Sequence, residues 1–487
     1  MTEALAAAAA EESYRQERVA HWDGVARDTD RRQGLGGAYH RRLRRVYRFL
    51  VPPGQKVLEL GCGRGDLLAS LEPALGVGVD FSGEMVRRAA ARHPGLRFLE
   101  ADAHDIDQDI GQLGEAFDVI ILSDLLNDAW DVQRLLRALV PLTTPRTRLI
   151  LNSYSRLWEL PLAAAQKLGL ARPVLYQNWL TVHDLSNLLR LAGFQTVRHW
   201  EEVLLPLPIP LLAPFCNRVL VKLWPFRHLA LSNFLVARPA PVPIPAGEEP
   251  VVSVIVAARN EEGNIPNILA RLPEMGAGTE LIFVEGHSRD GTWEAIQREI
   301  AARPGRRLKA FQQKGKGKGD AVRLGFAEAS GGVLMILDAD LTVPPEDLPR
   351  FYEVLRSGEG EFVNGVRLVY PMEKEAMRFA NLLGNKFFSL AFSWLLGQPI
   401  KDTLCGTKVL SRADYERVAA NRSYFGDFDP FGDFDLLFGA AKLNLELVEV
   451  PIRYRERTYG ETNIQRWSHG WLLLKMCAFA AGRIKFI

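Results

Sequence analysis

The sequence is poor in cysteine, and it has no apolar run of the roughly 20 residues that a membrane-spanning helix needs. The four cysteines, Cys62, Cys216, Cys405 and Cys477, lie far apart and form no Cys-x-x-Cys pair. This spacing argues against a disulfide framework or a cysteine zinc site and fits a reducing compartment. The sequence also has no short-period internal repeat, which argues against a repeat protein.

A strong charge of one sign is also missing. The sequence has 60 Lys and Arg against 58 Asp and Glu, a net charge of +2 over 487 residues. This balance argues against nucleic acid as a partner, because bulk charge would not drive the binding. The opening MTEALAAAAAEE lacks the basic leader of a signal peptide, and we expect it to form a frayed helix.

A proline-rich segment, RPAPVPIPAGEEP at residues 238–250, predicts an extended linker. We therefore predict one domain over residues 1–237 and a second over residues 251–487. In both, short apolar runs such as KVLEL and FDVIILSD, or VVSVIVAA and GVLMILDAD, alternate with helical patterns. This alternation predicts an α/β fold, with one doubly wound, mainly parallel sheet in each domain.

The first candidate site follows the run KVLEL, which leads directly into Gly-Cys-Gly-Arg-Gly. Gly61, Gly63 and Gly65 permit a tight turn and close approach of a ligand to the backbone. Asp80 ends the next predicted strand, where a carboxylate can accept both hydroxyls of a ribose. The alternatives are an ordinary strand-to-helix turn and a nicotinamide dinucleotide site, although the latter uses Gly-x-Gly-x-x-Gly.

Over about residues 40–200 this pattern resembles class I S-adenosylmethionine-dependent methyltransferases, which have a Rossmann-like fold. The resemblance implies S-adenosylmethionine as cofactor. It assigns the methionine moiety to Glu59, Gly61, Gly63 and Gly65, the ribose to Asp80, the adenine to Asp102 and Ala103, and the donor methyl to Ser123 and Asp124. For Asp124, a polar helix cap is an equally good interpretation. Methyl transfer mainly needs alignment of the nucleophile, so the sequence does not identify the acceptor.

The second candidate site is the acidic turn Asp338-Ala339-Asp340, which follows the apolar run GVLMIL. Carboxylates at a strand end can hold Mg²⁺ or Mn²⁺, which stabilises a leaving diphosphate. Many isolated Asp-x-Asp triplets are only capped turns, but the buried strand before this one favours catalysis. We therefore predict that Asp338 and Asp340 are catalytic metal ligands.

Together with residues 258–265, 285–292 and 316–321, this turn resembles family 2 glycosyltransferases of the GT-A fold, over about residues 250–465. The match is most like the polyprenyl-phosphate enzymes related to dolichyl-phosphate mannose synthase. The resemblance implies a nucleotide-sugar donor and these substrate-binding residues: Asn260, Glu261, Glu285, Lys318, Arg367, Arg378 and Arg457. Relatives usually carry two aspartates where this chain has Glu285 and Gly286, so the choice between UDP and GDP stays open.

The segment VEVPIRYRER at residues 448–457 alternates apolar and polar residues, as a strand with one buried face does. Arg453, Arg455 and Arg457 then share the other face, where three guanidinium groups suit phosphate recognition. A solvated edge strand is the alternative. The family resemblance favours Arg457 as the ligand.

Two C-terminal segments, residues 387–396 and 467–485, combine many apolar and aromatic residues. They suit either contact with a lipid surface or packing against the core. We expect them to be amphipathic and membrane-facing, which places the protein peripherally on the cytoplasmic face of the cytoplasmic membrane. A polyprenyl phosphate is then the natural acceptor, because its phosphate oxygen is already anionic.

The resemblance places Asp402 near the acceptor, and Asp433 and Asp435 where other members carry an acidic residue. A sugar hydroxyl as acceptor would need Asp433 or Asp435 as base. We predict a bifunctional methyltransferase and glycosyltransferase for cell-envelope glycan synthesis. The alternatives are polysaccharide elongation on a hydroxyl, with the methyltransferase modifying the glycan, and a methyltransferase domain that serves only as a binding module.

Overall fold

The computed structural model describes residues 2–28, 36–107, 115–169, 174–367, 369–370, 379–422, 432–455, 457, 459 and 466–487. The chain divides into two compact units. The first unit comprises Met1–Ala240 with Phe486–Ile487, and the second comprises Pro241–Lys485. Each unit contains one seven-stranded sheet.

The strands of the first unit are β1 (Lys56–Leu60), β2 (Leu75–Asp80), β3 (Arg97–Glu100), β4 (Val119–Ser123), β5 (Arg148–Tyr154), β6 (Phe194–Glu202) and β7 (Ser232–Pro239). Its described helices are Thr2–Asp28, Gly36–Leu50, Asp66–Ser70, Gly83–Arg92, Val132–Ala138, Glu159–Lys167, Val182–Leu191 and Leu212–Arg218. The sheet order is β3-β2-β1-β4-β5-β7-β6, and β7 runs antiparallel to both of its neighbours.

The central strands of this sheet are apolar on both faces, because helices cover both. Leu58 and Ile120 pack into one buried core, whereas their neighbours Val57 and Ile121 pack into the other. Successive side chains of a strand point to opposite faces, so a near-continuous apolar run fills two cores at once.

The strands of the second unit are β8 (Val252–Ala258), β9 (Thr279–Glu285), β10 (Arg307–Gln312), β11 (Val333–Ile336), β12 (Phe362–Val366), β13 (Lys408–Ser411) and β14 (Leu447–Pro451). Its described helices are Ile265–Arg271, Thr292–Ala301, Lys318–Glu328, Leu348–Arg356, Phe379–Leu396, Arg412–Ala420, Asp433–Lys442 and Arg466–Ala480. The order is β10-β9-β8-β11-β13-β12-β14, and β13 runs antiparallel to β11 and β12.

These two mainly parallel, helix-covered sheets confirm the predicted α/β fold class. One difference lies at the junction, where β7 continues to Pro239 and so enters the segment predicted as linker. Arg238 stays in the strand because its guanidinium donates to Gln195 Oε1 on β6 at 2.8 and 3.1 Å.

The apolar helix Phe379–Leu396 has two different faces. Phe392 is buried and stacks on Phe438 with ring centroids 5.4 Å apart, whereas Leu390 is 73% exposed. In the C-terminal helix, Trp471 is 62% exposed. Of the helices that the structure describes, none has both the length and the apolar character to cross a bilayer. The packing interpretation therefore accounts for one face of Phe379–Leu396 and leaves apolar side chains exposed on the other.

Candidate active sites

The glycine loop connects β1 to the helix Asp66–Ser70. Gly61, Gly63 and Gly65 have φ angles of 69°, 51° and 71°, in the left-handed region that other residues rarely adopt. A Cβ on Gly65 would lie 2.5 Å from Phe98 Cζ, whereas no described atom lies within 4 Å of a Cβ on Gly63. The loop thus packs tightly at one glycine and leaves room for a ligand at another.

Asp80 lies directly against this loop, as the sequence predicts. Its Oδ2 accepts a hydrogen bond from the Gly63 N–H at 2.9 Å, and its Oδ1 accepts one from the Ser82 N–H at 2.9 Å. Burial raises the pKa of Asp80, although both bonds oppose that rise. A carboxylate has about four lone-pair sites, so two remain for ribose hydroxyls.

Glu59 occupies the floor of the loop and is only 2% exposed. Its Oε2 accepts from the Leu68 N–H at 3.0 Å, which ties β1 to the helix after the loop. Burial raises its pKa to about 8, against the effect of that hydrogen bond. The carboxyl group therefore keeps its proton at neutral pH.

The predicted adenine residues follow β3. The Ala101 N–H donates to the Asp80 carbonyl oxygen at 3.1 Å, which holds this segment beside the ribose candidate. Asp102 Oδ1 accepts from the backbone N–H of His104 at 2.9 Å and lies 2.6 Å from its Nδ1. Burial works to raise the pKa of Asp102, but His104 lowers it overall. Ala103, the next residue, is buried. The backbone hydrogen bond between Ala101 and Asp80 therefore keeps Asp102 and Ala103, which follow Ala101 in the chain, close to the segment that carries Asp80.

A polar cluster at the ends of β4 and β5 surrounds Asp124, which has a left-handed φ of 57°. The Tyr39 hydroxyl donates to Asp124 Oδ1 at 2.8 Å, and the Asn152 amide donates to the same oxygen at 2.6 Å. Ser123 Oγ donates to Asn152 Oδ1 at 3.0 Å, and Ser232 Oγ lies 3.0 Å from the Tyr39 hydroxyl. Burial raises the pKa of Asp124 to about 7 despite its two hydrogen bonds.

This cluster adjoins the glycine loop, since a Cβ on Gly61 would lie 3.0 Å from Cδ1 of Leu125. Asp124 precedes a 3-10 turn but makes no capping hydrogen bond, so the helix-cap interpretation is wrong. Asn152 could have been found from its register opposite Ser123. Tyr39 could not have been found from the sequence, because its helix, Gly36–Leu50, contains no recognisable motif. A carboxyl group that titrates near neutrality can exchange a proton with an acceptor.

The start of the chain forms the helix Thr2–Asp28, whose residues 5, 6 and 8–10 are exposed and whose later part packs against the first unit. Asp23 Oδ1 accepts a hydrogen bond from Ser82 Oγ, next to Asp80. Arg18 is buried, and its Nε lies 3.9 Å from Asp128 Oδ1 in the loop after β4. The helix thus contacts both loops that border the candidate cofactor site.

The acidic turn lies just beyond β11. Asp338 Oδ1 pairs with Lys318 Nζ at 2.5 Å, and Asp340 Oδ2 pairs with Arg457 Nη2 at 2.6 Å. Asp340 Oδ1 accepts a further bond from Thr342 Oγ1 at 2.7 Å. The structure therefore brings both predicted metal ligands together with two of the predicted donor-binding cations.

The turn also suits a divalent cation that a sugar donor would share. The described residues contain no group of three or more His, Cys, Asp or Glu side chains that could hold a metal ion by themselves. Mg²⁺, however, is commonly held by one or two carboxylates and substrate phosphates, so Asp338 and Asp340 fit that chemistry. Burial works to raise the pKa of Asp338, but Lys318 lowers it overall. Asp338 is therefore ionised, as a metal ligand must be.

Asn260 and Glu285 meet at the loop after β9. The backbone N–H of Asn260 donates to Ser288 Oγ at 3.1 Å, and its Oδ1 accepts from the Arg289 N–H at 2.8 Å. Glu285 Oε1 accepts from the Ser288 N–H at 2.5 Å. These two predicted substrate residues thus hold one loop at the ends of neighbouring parallel strands.

Glu261 connects that loop region to the acidic turn. Its Oε2 accepts from Asn264 Nδ2 at 2.7 Å, and its Oε1 lies 3.8 Å from Arg457 Nη1. Burial raises the pKa of Glu261 to about 7, with Asn264 and Arg457 opposing. Arg457 therefore lies between Glu261 and Asp340.

Arg367 and Asp402 form a buried, bidentate ion pair. Arg367 Nε lies 2.6 Å from Asp402 Oδ2, and its Nη2 lies 2.8 Å from Oδ1. Burial works to raise the pKa of Asp402, but Arg367 lowers it; Asp402 in turn raises the pKa of Arg367 against the effect of burial. The Leu404 N–H also donates to Asp402 Oδ1 at 3.1 Å. Both oxygens of Asp402 therefore accept hydrogen bonds from Arg367, and the further bond from Leu404 helps to hold the Asp402 carboxylate in place.

The remaining predicted acids lie near the helix Asp433–Lys442. Asp435 Oδ2 accepts from Arg422 Nε at 2.7 Å. Gly432, just before the helix, approaches the helix of Lys318 so closely that its Cβ would lie 2.6 Å from Gly319 Cα. Asp433 is described only in its backbone, and its side chain, like the whole of Arg378, lies outside the described residues.

The three arginines of residues 448–457 do not share one strand face, because β14 ends at Pro451. Beyond it the chain leaves the sheet, and the Arg455 N–H donates to the Thr342 carbonyl oxygen at 3.1 Å. Arg457 then reaches the acidic turn, whereas Arg453 and Arg455 are exposed. Arg457 lies at the acidic turn, and its assignment as the phosphate ligand stays a prediction. The prediction that the three arginines share one strand face is wrong.

Two family models match this chain. The model described as "Methyltransferase domain" matches residues 35–199, and that described as "Glycosyl transferase family 2" matches residues 253–418. The first range contains the glycine loop and, of the Asp124 cluster, Tyr39, Ser123, Asp124 and Asn152. The second contains the acidic turn and the Arg367–Asp402 pair. These matches define a class of protein with two transferase domains.

Curated relatives of the chain include two proteins named as transferases of dolichol or dolichyl phosphate. A dolichol-phosphate mannosyltransferase of Pyrococcus furiosus is 31% identical over 44% of this chain and 59% of its own length. A dolichyl-phosphate hexose transferase of Haloferax volcanii is 30% identical over 45% of this chain and 89% of its own length. The solved glucosyl-3-phosphoglycerate synthase of Mycobacterium tuberculosis is 20% identical, covers 48% of this chain and 80% of its own, and has a TM-score of 0.35.

The chain thus belongs to glycosyltransferase family 2, and it carries a methyltransferase domain in addition. It spans between half and two thirds of the length of the mannosyltransferase that it matches.

Proposed function

We propose that the protein is a bifunctional enzyme of cell-envelope glycan synthesis. Its second unit, residues 251–487, transfers a sugar from a nucleotide donor to a polyprenyl phosphate, and its first, residues 1–237, transfers a methyl group from S-adenosylmethionine. The observation that carries the glycosyltransferase proposal is the pairing of Lys318 with Asp338 and of Arg457 with Asp340. The names of the relatives, which act with dolichyl phosphates, support the lipid acceptor.

The acidic turn gathers the charges that a diphosphate leaving group requires. A bound Mg²⁺ or Mn²⁺, held by Asp338 and Asp340, would supply Lewis-acid stabilisation of that group. Lys318 and Arg457 already lie at the same turn and would contact the donor's phosphate oxygens. Asn260, Glu261 and Glu285 would bind the nucleoside side of the donor.

The acceptor side needs no strong base if the nucleophile is a phosphate oxygen, because that oxygen is anionic near neutral pH. Arg367, oriented by Asp402, is the candidate contact for the acceptor phosphate, together with Arg378. If the acceptor were a sugar hydroxyl, Asp433 or Asp435 would have to take its proton. Exposed apolar side chains such as Leu390 and Trp471 are consistent with a peripheral position on a membrane surface.

In the first unit, the glycine loop, Asp80 and Asp102 would bind S-adenosylmethionine. Asp124, which holds a proton with a pKa of about 7 and accepts from Tyr39, would receive or return a proton of the methyl acceptor. A scaffolding role without chemistry would leave this buried carboxyl without a function.

The test uses the full chain in detergent with polyprenyl phosphate, Mg²⁺ or Mn²⁺, and a panel of UDP- and GDP-sugars. We expect one donor to give an acid-labile lipid that carries a single phosphate. Asp340→Asn should lower turnover about 100-fold or more, because several kcal/mol of charge stabilisation are lost. Glu353→Gln, an exposed acid of the same unit, is the control and should leave turnover unchanged. Equal turnover of Asp340→Asn and wild type would remove the metal assignment, and transfer only to hydroxyl acceptors would remove the lipid phosphate.

A further inference from the structure

A pocket of about 500 Å³ lies on the second unit, beside the segment that follows the acidic turn. Pro344, Arg350, Tyr370, Arg453 and Arg455 line it. Arg350, Arg453 and Arg455 are exposed, so the pocket opens to solvent. Three guanidinium groups around one opening call for an anionic occupant.

The two acidic residues that also line the pocket are already paired. Asp347 Oδ1 lies 3.6 Å from Arg350 Nη1. Glu346 accepts a bidentate pair of bonds from Arg271, both at 2.7 Å. Each carboxylate therefore has a cation of its own.

Arg453 and Arg455 differ from Arg350 in this respect. Within the described part of the chain, no carboxylate forms an ion pair with either of them at 4.0 Å or less, although Arg455 is near enough to help Arg271 lower the pKa of Glu346. The Arg453 guanidinium lies 5.2 Å from the centroid of the Tyr370 ring, and the backbone of Arg455 is held by Thr342. Both arginines therefore line the pocket, and the guanidinium group of Arg453 lies beside an aromatic ring.

The pocket is distinct from the donor site. Arg457, two residues beyond Arg455, pairs with Asp340 and does not line the pocket. Thr342 separates the two sites, because its Oγ1 bonds to Asp340 while its carbonyl oxygen accepts from Arg455. The diphosphate of a donor at the acidic turn would therefore not occupy the pocket that Arg453 and Arg455 line.

We propose that this pocket binds a second phosphate group, apart from the diphosphate of the sugar donor. Guanidinium groups match phosphate oxygens through paired N–H donors, and Tyr370 adds a hydroxyl donor. An anion would also relieve the repulsion between Arg453 and Arg455. The phosphate comes either from the headgroup of an anionic lipid or from free phosphate in solution.

Two probes distinguish these sources in the full-length protein. The first is co-sedimentation with phosphatidylcholine vesicles, with and without phosphatidylglycerol, at constant ionic strength. The second is titration with inorganic phosphate, followed by calorimetry. The test variant is Arg453→Gln/Arg455→Gln. The matched control is Arg298→Gln/Arg307→Gln, which removes the same charge from two exposed arginines of this unit.

If the lipid headgroup is the source, the test variant should bind phosphatidylglycerol vesicles about 30-fold more weakly, since each arginine near an anionic surface contributes about 1 kcal/mol. If free phosphate is the source, the calorimetric affinity should fall by at least about tenfold while vesicle binding stays the same. The proposal is overturned if the wild type binds neither probe, if the test variant binds both as the wild type does, or if the two double variants lose affinity equally. None of these readouts depends on sugar transfer.

Discussion

Two carboxyl groups of the first unit hold protons near neutral pH because they are buried. Burial raises the pKa of Glu59 from 4.5 to about 8, and that of Asp124 from 3.8 to about 7. When the pKa in the folded state is higher than in the unfolded state, the folded chain binds more protons than the unfolded chain at pH values between these two pKa values. The stabilisation is therefore complete below about pH 4 and is lost as the pH rises through the folded pKa.

We expect the free energy of unfolding to fall between pH 5 and pH 7 by up to about 1.4 kcal/mol per pH unit for each of these groups. Glu59→Gln should remove one such contribution and so flatten the pH dependence. Denaturant unfolding of the full chain at several pH values measures the slope. Glu100→Gln, an exposed control on β3, should retain the slope of the wild type, and an equally steep slope in Glu59→Gln would contradict the burial argument.

For single residues, the sequence alone identifies candidates that belong to a motif, but it does not identify the residues that form hydrogen bonds with them. Asp80 and Asp340 could be predicted, because Asp80 ends a buried strand and Asp340 belongs to the short turn after another, which places both at the edge of a sheet. Tyr39 could not, since its contact with Asp124 spans 85 residues and depends on how a helix packs. Arg422, the partner of Asp435, was also missed, because it belongs to no motif although it lies only 13 residues away in the chain.

At the scale of elements, the antiparallel strand β13 brings the preceding loop onto the acidic turn after β11. A Cβ on Gly406 in that loop would overlap Asp338 Oδ2 and Lys318 Nζ. The strands β1, β4, β8 and β11 were predictable from their apolar runs, because nearly all of their side chains are buried. The end of β14 was not, because residues 452–455 keep the alternation of a strand although β14 ends at Pro451 and the Arg455 N–H bonds to Thr342, just after the acidic turn.

Gly406→Ala should therefore displace the Asp338–Lys318 pair and lower sugar transfer by at least about tenfold, while the methyl-donor site is unaffected. Sugar-transfer kinetics and thermal unfolding of the same preparation check this. Gly384→Ala is the control, because a Cβ there meets no described atom within 4 Å and alanine favours a helix. Normal turnover in Gly406→Ala would show that the glycine is not needed at the turn.

At the scale of the whole molecule, each unit has its own sheet and its own buried core, and each candidate site is built from residues of one unit. A sequence pattern with two sets of alternating strands made this organisation predictable. Neither the sequence nor the folds require that the two reactions share a substrate. The binding steps of the two sites should therefore be separable by point substitutions.

Asp80→Ala should weaken S-adenosylmethionine binding by at least about tenfold, because a buried charged acceptor for ribose hydroxyls is lost and the Gly63 N–H loses its partner. The same variant should retain the sugar-transfer rate of the wild type, and Asp340→Asn should show the reverse pattern. For each variant, isothermal titration with S-adenosylmethionine measures the binding affinity of the first unit, and turnover of the nucleotide sugar measures the activity of the second. An intact chain that does not bind S-adenosylmethionine would exclude the methyltransferase proposal and leave the glycosyltransferase one standing. Loss of both functions in one variant would instead mean that the units depend on each other for folding, since neither carboxylate belongs to the other unit's site.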